Sequence, residues 1–293
     1  MRLNPAQLPF TAILVLVSFA IARSPDRADS DFVGRIAAIE KRTAGRLGVA
    51  ALDTGSGKHI AYRSDERFAM CSTFKFVLAA AILTRVDEKK ELLDRRVPYG
   101  AADMLDYAPV TKAHLSEGAM TVSALCAAAI EYSDNTAANL LLKVIGGPEA
   151  LTRYARALGD TTMRLDRVEP DLNSNAPDDV RDTTSPAAML KTMTRLLTGN
   201  RLSSTSRLQL ERWMVSATTG AARLRAGFPA NWKVGDKTGT GKNGAANDLA
   251  IAWPPNGSPV LAVVFLTNSA LPGSESDAVL AEVGRIIASE FRR

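Results

Sequence analysis

The chain has little of what usually announces a chemistry. Only two cysteines, Cys71 and Cys126, occur in 293 residues, so one disulfide at most can form and a cysteine-rich scaffold is excluded. The two histidines, His59 and His114, lie in unrelated contexts, and no His/Cys cluster has zinc spacing. No metal and no other cofactor is expected. Aromatic residues make up 6% of the chain and the net charge is +5. That charge mildly favours anionic small molecules or anionic surfaces, whereas the lack of any block of like charges or basic stripe interleaved with aromatics argues against nucleic acid as a partner. Internal repeats and long low-complexity segments are also missing.

One apolar run falls short of a membrane span. "FTAILVLVSFAIA" (Phe10–Ala22) follows the small positive region at Arg2 and ends in Ala20-Ile21-Ala22, a small-residue cleavage pattern, before polar "RSPDRADSD". Neither a twin-arginine pair nor a lipid-bearing cysteine accompanies it. Residues 1–22 therefore read as a signal peptide. The mature protein is expected in the periplasm or outside the cell, as a monomer without stable membrane association.

The remainder, 46% hydrophobic and 23% charged over the whole chain, is globular in composition. "DFVGRIAAIEKRTAG" reads as a helix with Phe32, Ile36 and Ile39 on one face, and "LGVAALD" and "KHIAYRS" as strands joined by a "TGSG" turn. "FVLAAAILTRV" (Phe76–Val86), apolar on every side, predicts a buried helix. "TVSALCAAAIEYS" is nearly as apolar. "PEALTRYARALG" and "SPAAMLKTMTRLLTG" each carry proline at the first turn and glycine at the end. Strand patterns return in "WKVGDKTGTG" and in two apolar runs around Pro-Asn-Gly, before a last amphipathic helix. Strands at both ends with helices between imply one sheet built from both termini, with a helical lobe inserted. The stretch Arg164–Thr184 is polar and aperiodic, and a loop of that length inside a compact domain is usually functional.

Three short motifs carry chemistry. In "MCSTFKF", Ser72 and Lys75 would share a face at a helix start, where the dipole favours negative charge on Oγ and the amine can reach the hydroxyl. Alone this is an ordinary cap and a solvated lysine, yet a fully apolar helix has no reason to carry Lys75 in its first turn unless the amine serves a cleft. "YSDN" places Ser133 and Asn135 around Asp134, which alone reads as a plain N-cap. "DKTGTG" places Lys237, Thr238 and Gly239 on a strand whose glycines let a ligand approach the backbone.

Ser-x-x-Lys, Ser-Asp-Asn and Lys-Thr-Gly in this order resemble the motif set of the class A serine β-lactamases and penicillin-binding proteins, over essentially the whole chain from about Asp31. "EPDLN" separates the two. Glu169 with Asn173 four residues on matches the class A Glu-x-x-x-Asn signature, and a carboxylate there can activate the water that frees an acyl-enzyme. Penicillin-binding transpeptidases lack this element and stay acylated. The resemblance implies an α/β plus all-α fold: an antiparallel sheet flanked by helices (residues 23–63 and 215–293), an inserted helical domain (64–214, including an Ω-loop at 164–182), and an active site in the cleft between.

It also implies roles. Ser72 would be the nucleophile attacking a penicillin or cephalosporin lactam carbonyl, within an oxyanion hole of the Ser72 and Thr240 N–H groups. Lys75, Ser133 and Lys237 would move the proton to the leaving nitrogen. Asn135 would hold the acyl amide; Lys237, Thr238, Gly239 and Thr240 would line the carboxylate side; Tyr107 would form an apolar wall. Arg167 and Asp182 would pin the loop. The acylation base, Lys75 or Glu169, stays open.

Three departures stand out. Ala79 and Gly241 occupy the places of the cysteines that some members pair with counterparts of Cys126 and Cys71, so both thiols should stay reduced. Ala246 replaces a carboxylate-binding arginine. Arg223 is expected to supply that group, with Arg225 pointing to solvent. The alternatives are a penicillin-binding D,D-peptidase and a catalytically dead β-lactam sensor domain, both disfavoured by the intact Glu169.

Overall fold

The protein is described here from a computed structural model that covers Met1 and residues 27–292; the proposed leader and its cleavage site lie outside the described residues. From the N-terminal side come helix α1 (Arg27–Thr43) and strands β1 (Arg46–Asp53) and β2 (His59–Tyr62). The short strand β3 (Phe68–Ala69) and a 3-10 turn (Cys71–Thr73) lead into α2 (Phe74–Asp87). The middle continues with β4 (Arg96–Pro98), α3 (Pro109–Ala113), β5 (Ala119–Thr121), α4 (Val122–Glu131), α5 (Asn135–Ile145) and α6 (Pro148–Ala157). After the long loop follow β6 (Thr183–Thr184), α7 (Pro186–Leu197) and α8 (Ser204–Val215). The chain ends with α9 (Leu224–Gly227), β7 (Lys233–Gly241), β8 (Ala245–Trp253), β9 (Val260–Thr267) and α10 (Gly273–Phe291).

Strands from both ends form one five-stranded sheet in the order β2-β1-β9-β8-β7, antiparallel throughout. Both faces are covered, so the central strands read as continuous apolar runs. Strand β9 shows the period of two inside such a run. Leu261, Val263 and Phe265 join the core shared with the helical lobe. Val260, Ala262, Val264 and Leu266 join the core under α1 and α10. Burial of α2 from Phe74 through Thr84 makes it the axle of the helical lobe, as its all-round apolar character requires.

Local chemistry sets the helix ends. Asp134 caps α5 through the Ala137 N–H, Ser185 caps α7 through Ala188 ahead of Pro186, and Gly146 ends α5 at φ 97°. Two features differ from the sequence reading. The inserted part is not purely helical, because β3 pairs with β6 and β4 with β5. Helix α8 was not anticipated; of its residues only Ser206, Leu210, Trp213 and Met214 are buried.

Candidate active site

The 3-10 turn brings Ser72 to the junction of the two lobes, packed beneath β7. A Cβ placed on Gly239 would lie 2.8 Å from the Met70 carbonyl oxygen and 3.2 Å from the Ser72 nitrogen. Only a glycine lets the strand approach the Ser72 backbone this closely. Lys75, in the first turn of α2, is fully buried. A lysine is tolerated there only with its three N–H donors satisfied.

They are satisfied across the lobe. Lys75 Nζ donates to the Ser133 carbonyl at 2.8 Å and to Asn135 Oδ1 at 2.6 Å, and it lies 2.9 Å from Glu169 Oε1. Ser72 Oγ donates to that same Glu169 oxygen at 3.2 Å. The expected direct reach of Lys75 to Ser72 is thus replaced by a carboxylate that both groups share. Ser133, at φ 57°, turns its hydroxyl toward the opposite wall, where Lys237 Nζ donates to it at 2.9 Å. Asp134 is indeed a cap, and by capping it aims Ser133 and Asn135 to either side of itself.

Burial dominates the electrostatics. It pushes Lys75 below the ordinary lysine range against the opposing pull of Glu169. It pushes Lys237 well below, with the nearby Lys75 charge adding to the effect. Cys71 and Cys126 both lie buried as free thiols. Burial, with the Glu169 carboxylate adding, raises the Cys71 thiol to about 12, which makes it a poor nucleophile.

Glu169 is held from three directions. Asn139, on α5, grips its backbone with both arms, Oδ1 accepting from the Glu169 N–H at 3.0 Å and Nδ2 donating to its carbonyl at 2.9 Å. Asn173 Nδ2 donates to Glu169 Oε2. Arg167 Nε pairs with the buried Asp182, whose Oδ1 also accepts the N–H groups of Asp166 (2.7 Å) and Arg167 (2.9 Å). Asn173 Oδ1 is buried and has no partner among the described residues.

The open part of the cleft encloses about 380 Å³ and is lined by Ser72, Tyr107, Ser133, Asn135, Asn173, Thr219, Arg223, Thr238 and Thr240. A larger cavity, about 530 Å³, lies behind the loop and contains no serine or cysteine. Arg223 reaches the β7 edge from outside the sheet. Its guanidinium donates to Thr240 Oγ1 (2.7 Å) and to the Gly239 and Asn247 carbonyls (2.9 and 2.8 Å), and its Nε pairs with Asp277 at 2.7 Å. Thr240 faces Ala246 in register, so the guanidinium stands beside Ala246. Arg225 does not point to solvent. It pairs with the fully buried Asp236, 2.9 Å away, whose own carboxyl burial pushes up. Gly220 makes room for that carboxylate, since a Cβ there would collide with Asp236 Oδ2.

Sequence reasoning brought every named group to this region but missed Asn139, Thr219 and Asp277. Asn139 could have been found, because it falls one helical turn after Asn135 on the same face. Thr219, 2.6 Å from the Thr238 hydroxyl, and Asp277 carry no local signal. Among the described residues no group of three or more His, Cys, Asp or Glu side chains is placed to hold a metal ion.

The model of the β-lactamase enzyme family matches residues 31–291. The chain is 44% identical over 276 residues to β-lactamase CTX-M-8 of Citrobacter amalonaticus, covering 94% of each. It is 43% identical over 282 residues to β-lactamase OXY-2 of Klebsiella oxytoca, covering 96% of each. Among solved structures, the last common ancestor of Gram-negative bacteria class A β-lactamase superposes with a TM-score of 0.88 at 57% identity, over 89% of this chain and 99% of that one. The putative class A β-lactamase PenP of Rhodopseudomonas palustris gives 0.87 at 49%, over 88% and 99%.

Proposed function

The chain belongs to the class A serine β-lactamases, hydrolases that open the β-lactam ring, and we propose that it does so through an ester on Ser72. The observation that carries this reading is the buried oxygen of Glu169 shared by the Ser72 hydroxyl (3.2 Å) and the Lys75 ammonium (2.9 Å) at the floor of the cleft.

In acylation Ser72 Oγ attacks the lactam carbonyl, and its proton passes to the Glu169–Lys75 pair. The developing oxyanion is received by the N–H groups of Ser72 and Thr240. As the C–N bond breaks, the ring nitrogen takes a proton from Ser133, which draws on Lys75 and Lys237. Both are amines whose burial makes them readier proton donors than free lysine. Asn135 presents Nδ2 to the acyl amide, its Oδ1 being occupied by Lys75. Thr238, Thr240 and Arg223 hold the carboxylate. In deacylation a water between Glu169 and Asn173 gives up a proton to Glu169 and attacks the ester. The Ser72 oxygen leaves and recovers its proton. The unpartnered Asn173 Oδ1 is the acceptor such a water needs. The products are the ring-opened acid and free enzyme.

The lobes divide near residues 63–64 and 214–215. The protein acts as a periplasmic or secreted monomer after loss of residues 1–22. No helix among the described residues is long and apolar enough to cross a membrane. Hydrolysis of a chromogenic cephalosporin tests the activity. A slowly cleared β-lactam should leave one adduct, on the peptide bearing Ser72, and none on Ser72→Ala. An adduct elsewhere would refute the assignment.

A further inference from the structure

Asn247, near the start of β8, is 1% exposed and takes no part in the acylation or deacylation steps. It pairs in register with Gly239 of β7, and partners in register share a face of the sheet. On that face its amide meets the segment leading to Ser72. Nδ2 donates to the Ala69 carbonyl at 2.8 Å and to the Met70 carbonyl at 3.1 Å. Both amide protons are thereby used, while Oδ1 is buried with no partner among the described residues. Turning the amide over would set an oxygen against two carbonyls. A buried acceptor left unpaired weakens the fold, so stability alone does not account for an asparagine here. What the position uses is its two donors.

Those donors hold the approach to the nucleophile. Cys71, between Met70 and Ser72, has φ 46°, a left-handed conformation that a non-glycine residue keeps only where its surroundings impose it. The hold is on the peptide groups just before it. The Met70 N–H donates to the Asp182 carbonyl at 2.9 Å, and Thr73 Oγ1 donates to the Met70 carbonyl at 2.7 Å. Asn247 adds its bonds to both carbonyls, and of these three anchors it alone belongs to the five-stranded sheet. The N–H after Cys71 is that of Ser72, one of the two groups assigned to the oxyanion. The other, at Thr240, lies on β7 opposite Ala246, the neighbour of Asn247. One residue is thus bonded to the turn that carries the first donor and sits in the strand beside the second.

We propose that Asn247 is a positioning residue for the oxyanion hole: it sets the Ser72 N–H at the separation and angle from the Thr240 N–H that the tetrahedral oxygen needs. The proposal rests on the acyl-enzyme reading above. Such donors act on charge that develops only in the transition state, so their aim matters to the chemical step more than to substrate affinity.

The test uses two variants. Asn247→Leu keeps the branching of the side chain but puts methyl groups in place of the donors. Asn247→Ala simply releases the two carbonyls and covers the case in which leucine does not fit. With a chromogenic cephalosporin, kcat should fall about 10-fold in each, with KM within about twofold of wild type. Outright loss of an oxyanion donor costs roughly 10²–10³-fold, and here the donor is displaced but still present. The ester on Ser72 is then retained by adding Glu169→Ala, and its carbonyl stretch is read by infrared difference spectroscopy. Well-aimed donors polarise the C=O bond and lower its frequency, so both Asn247 variants should raise it. An unshifted band would overturn the proposal whatever the fall in kcat, because a residue serving stability alone would lower the folded fraction without moving the band. A kcat within about twofold of wild type would overturn it as well. If Glu169→Ala with Asn247 intact gives no ester band, the acyl-enzyme reading fails, and the proposal with it.

Discussion

Two arginines only two positions apart have opposite jobs, and each can be tested by truncation. Arg223 lines the cleft, and on the proposed reading its loss removes a charged donor from the substrate carboxylate. Such a bond contributes roughly 1.5–3 kcal/mol, so Arg223→Ala should lower kcat/KM by about 10- to 150-fold in steady-state assays. Arg225 faces inward, and its loss strands the buried Asp236 carboxylate. Arg225→Ala should cost roughly 3 kcal/mol of unfolding free energy near neutral pH, measured in urea, with kcat/KM of the folded fraction little changed. Burial already raises the Asp236 carboxyl above its unfolded value, and without Arg225 it rises further. The folded state then binds the extra proton, so the variant's deficit should shrink toward pH 5 and grow toward pH 8. A deficit independent of pH would mean that Asp236 is not the group left unpaired. The sequence could not reveal this pair. An arginine by itself suggests solvent, and Asp236 was hidden beside the more conspicuous Lys237.

At the scale of elements, the junction of α4 and α5 shows one residue serving stability and chemistry together. Asp134 is fully buried. It accepts the Ala137 N–H at 2.8 Å as the cap of α5 and the N–H groups of Val110 and Thr111 at 3.0 and 2.9 Å. Asp134→Ala removes a cap and leaves buried donors without acceptors, so it should cost about 3–5 kcal/mol in urea unfolding. A loss below about 1 kcal/mol would mean that water replaces the carboxylate fully. The helices with clear punctuation were legible in the sequence, α6 and α7 from their prolines and glycines and α2 from its unbroken apolar run. Helix α8 was not, because it opens in Ser-Thr-Ser and buries only one short stripe. The small strand pairs were invisible for another reason: two or three residues give no period, and β3 and β6 find each other only through the fold. The site motifs were legible because their spacing within the chain is short. Distances across lobes were not, which is why Lys75 was expected at Ser72 but bonds to Glu169, Ser133 and Asn135.

Across the whole molecule, Glu169 stands where the lobes meet. Asn139 ties its backbone to the helical lobe, and Asn173, itself bonded to the turn after β7, ties its side chain to the sheet. The account stands or falls on what this carboxylate does. Removing it should spare acylation, because burial then acts on Lys75 with only the weaker opposing pull of Asp134 and Cys71 left. Without the opposing pull of Glu169 its amine falls further below the lysine range and can take the Ser72 proton itself. Removing it should abolish deacylation, since it is the base to which the proposed mechanism assigns the water's proton. The direct measurement is intact-protein mass spectrometry of Glu169→Ala, sampled over time after one equivalent of penicillin. The account predicts an adduct on the Ser72 peptide that forms and persists, with steady turnover reduced roughly 10²–10⁴-fold, the usual reach of a general base. Turnover within a few-fold of wild type, or no adduct at all, would contradict it.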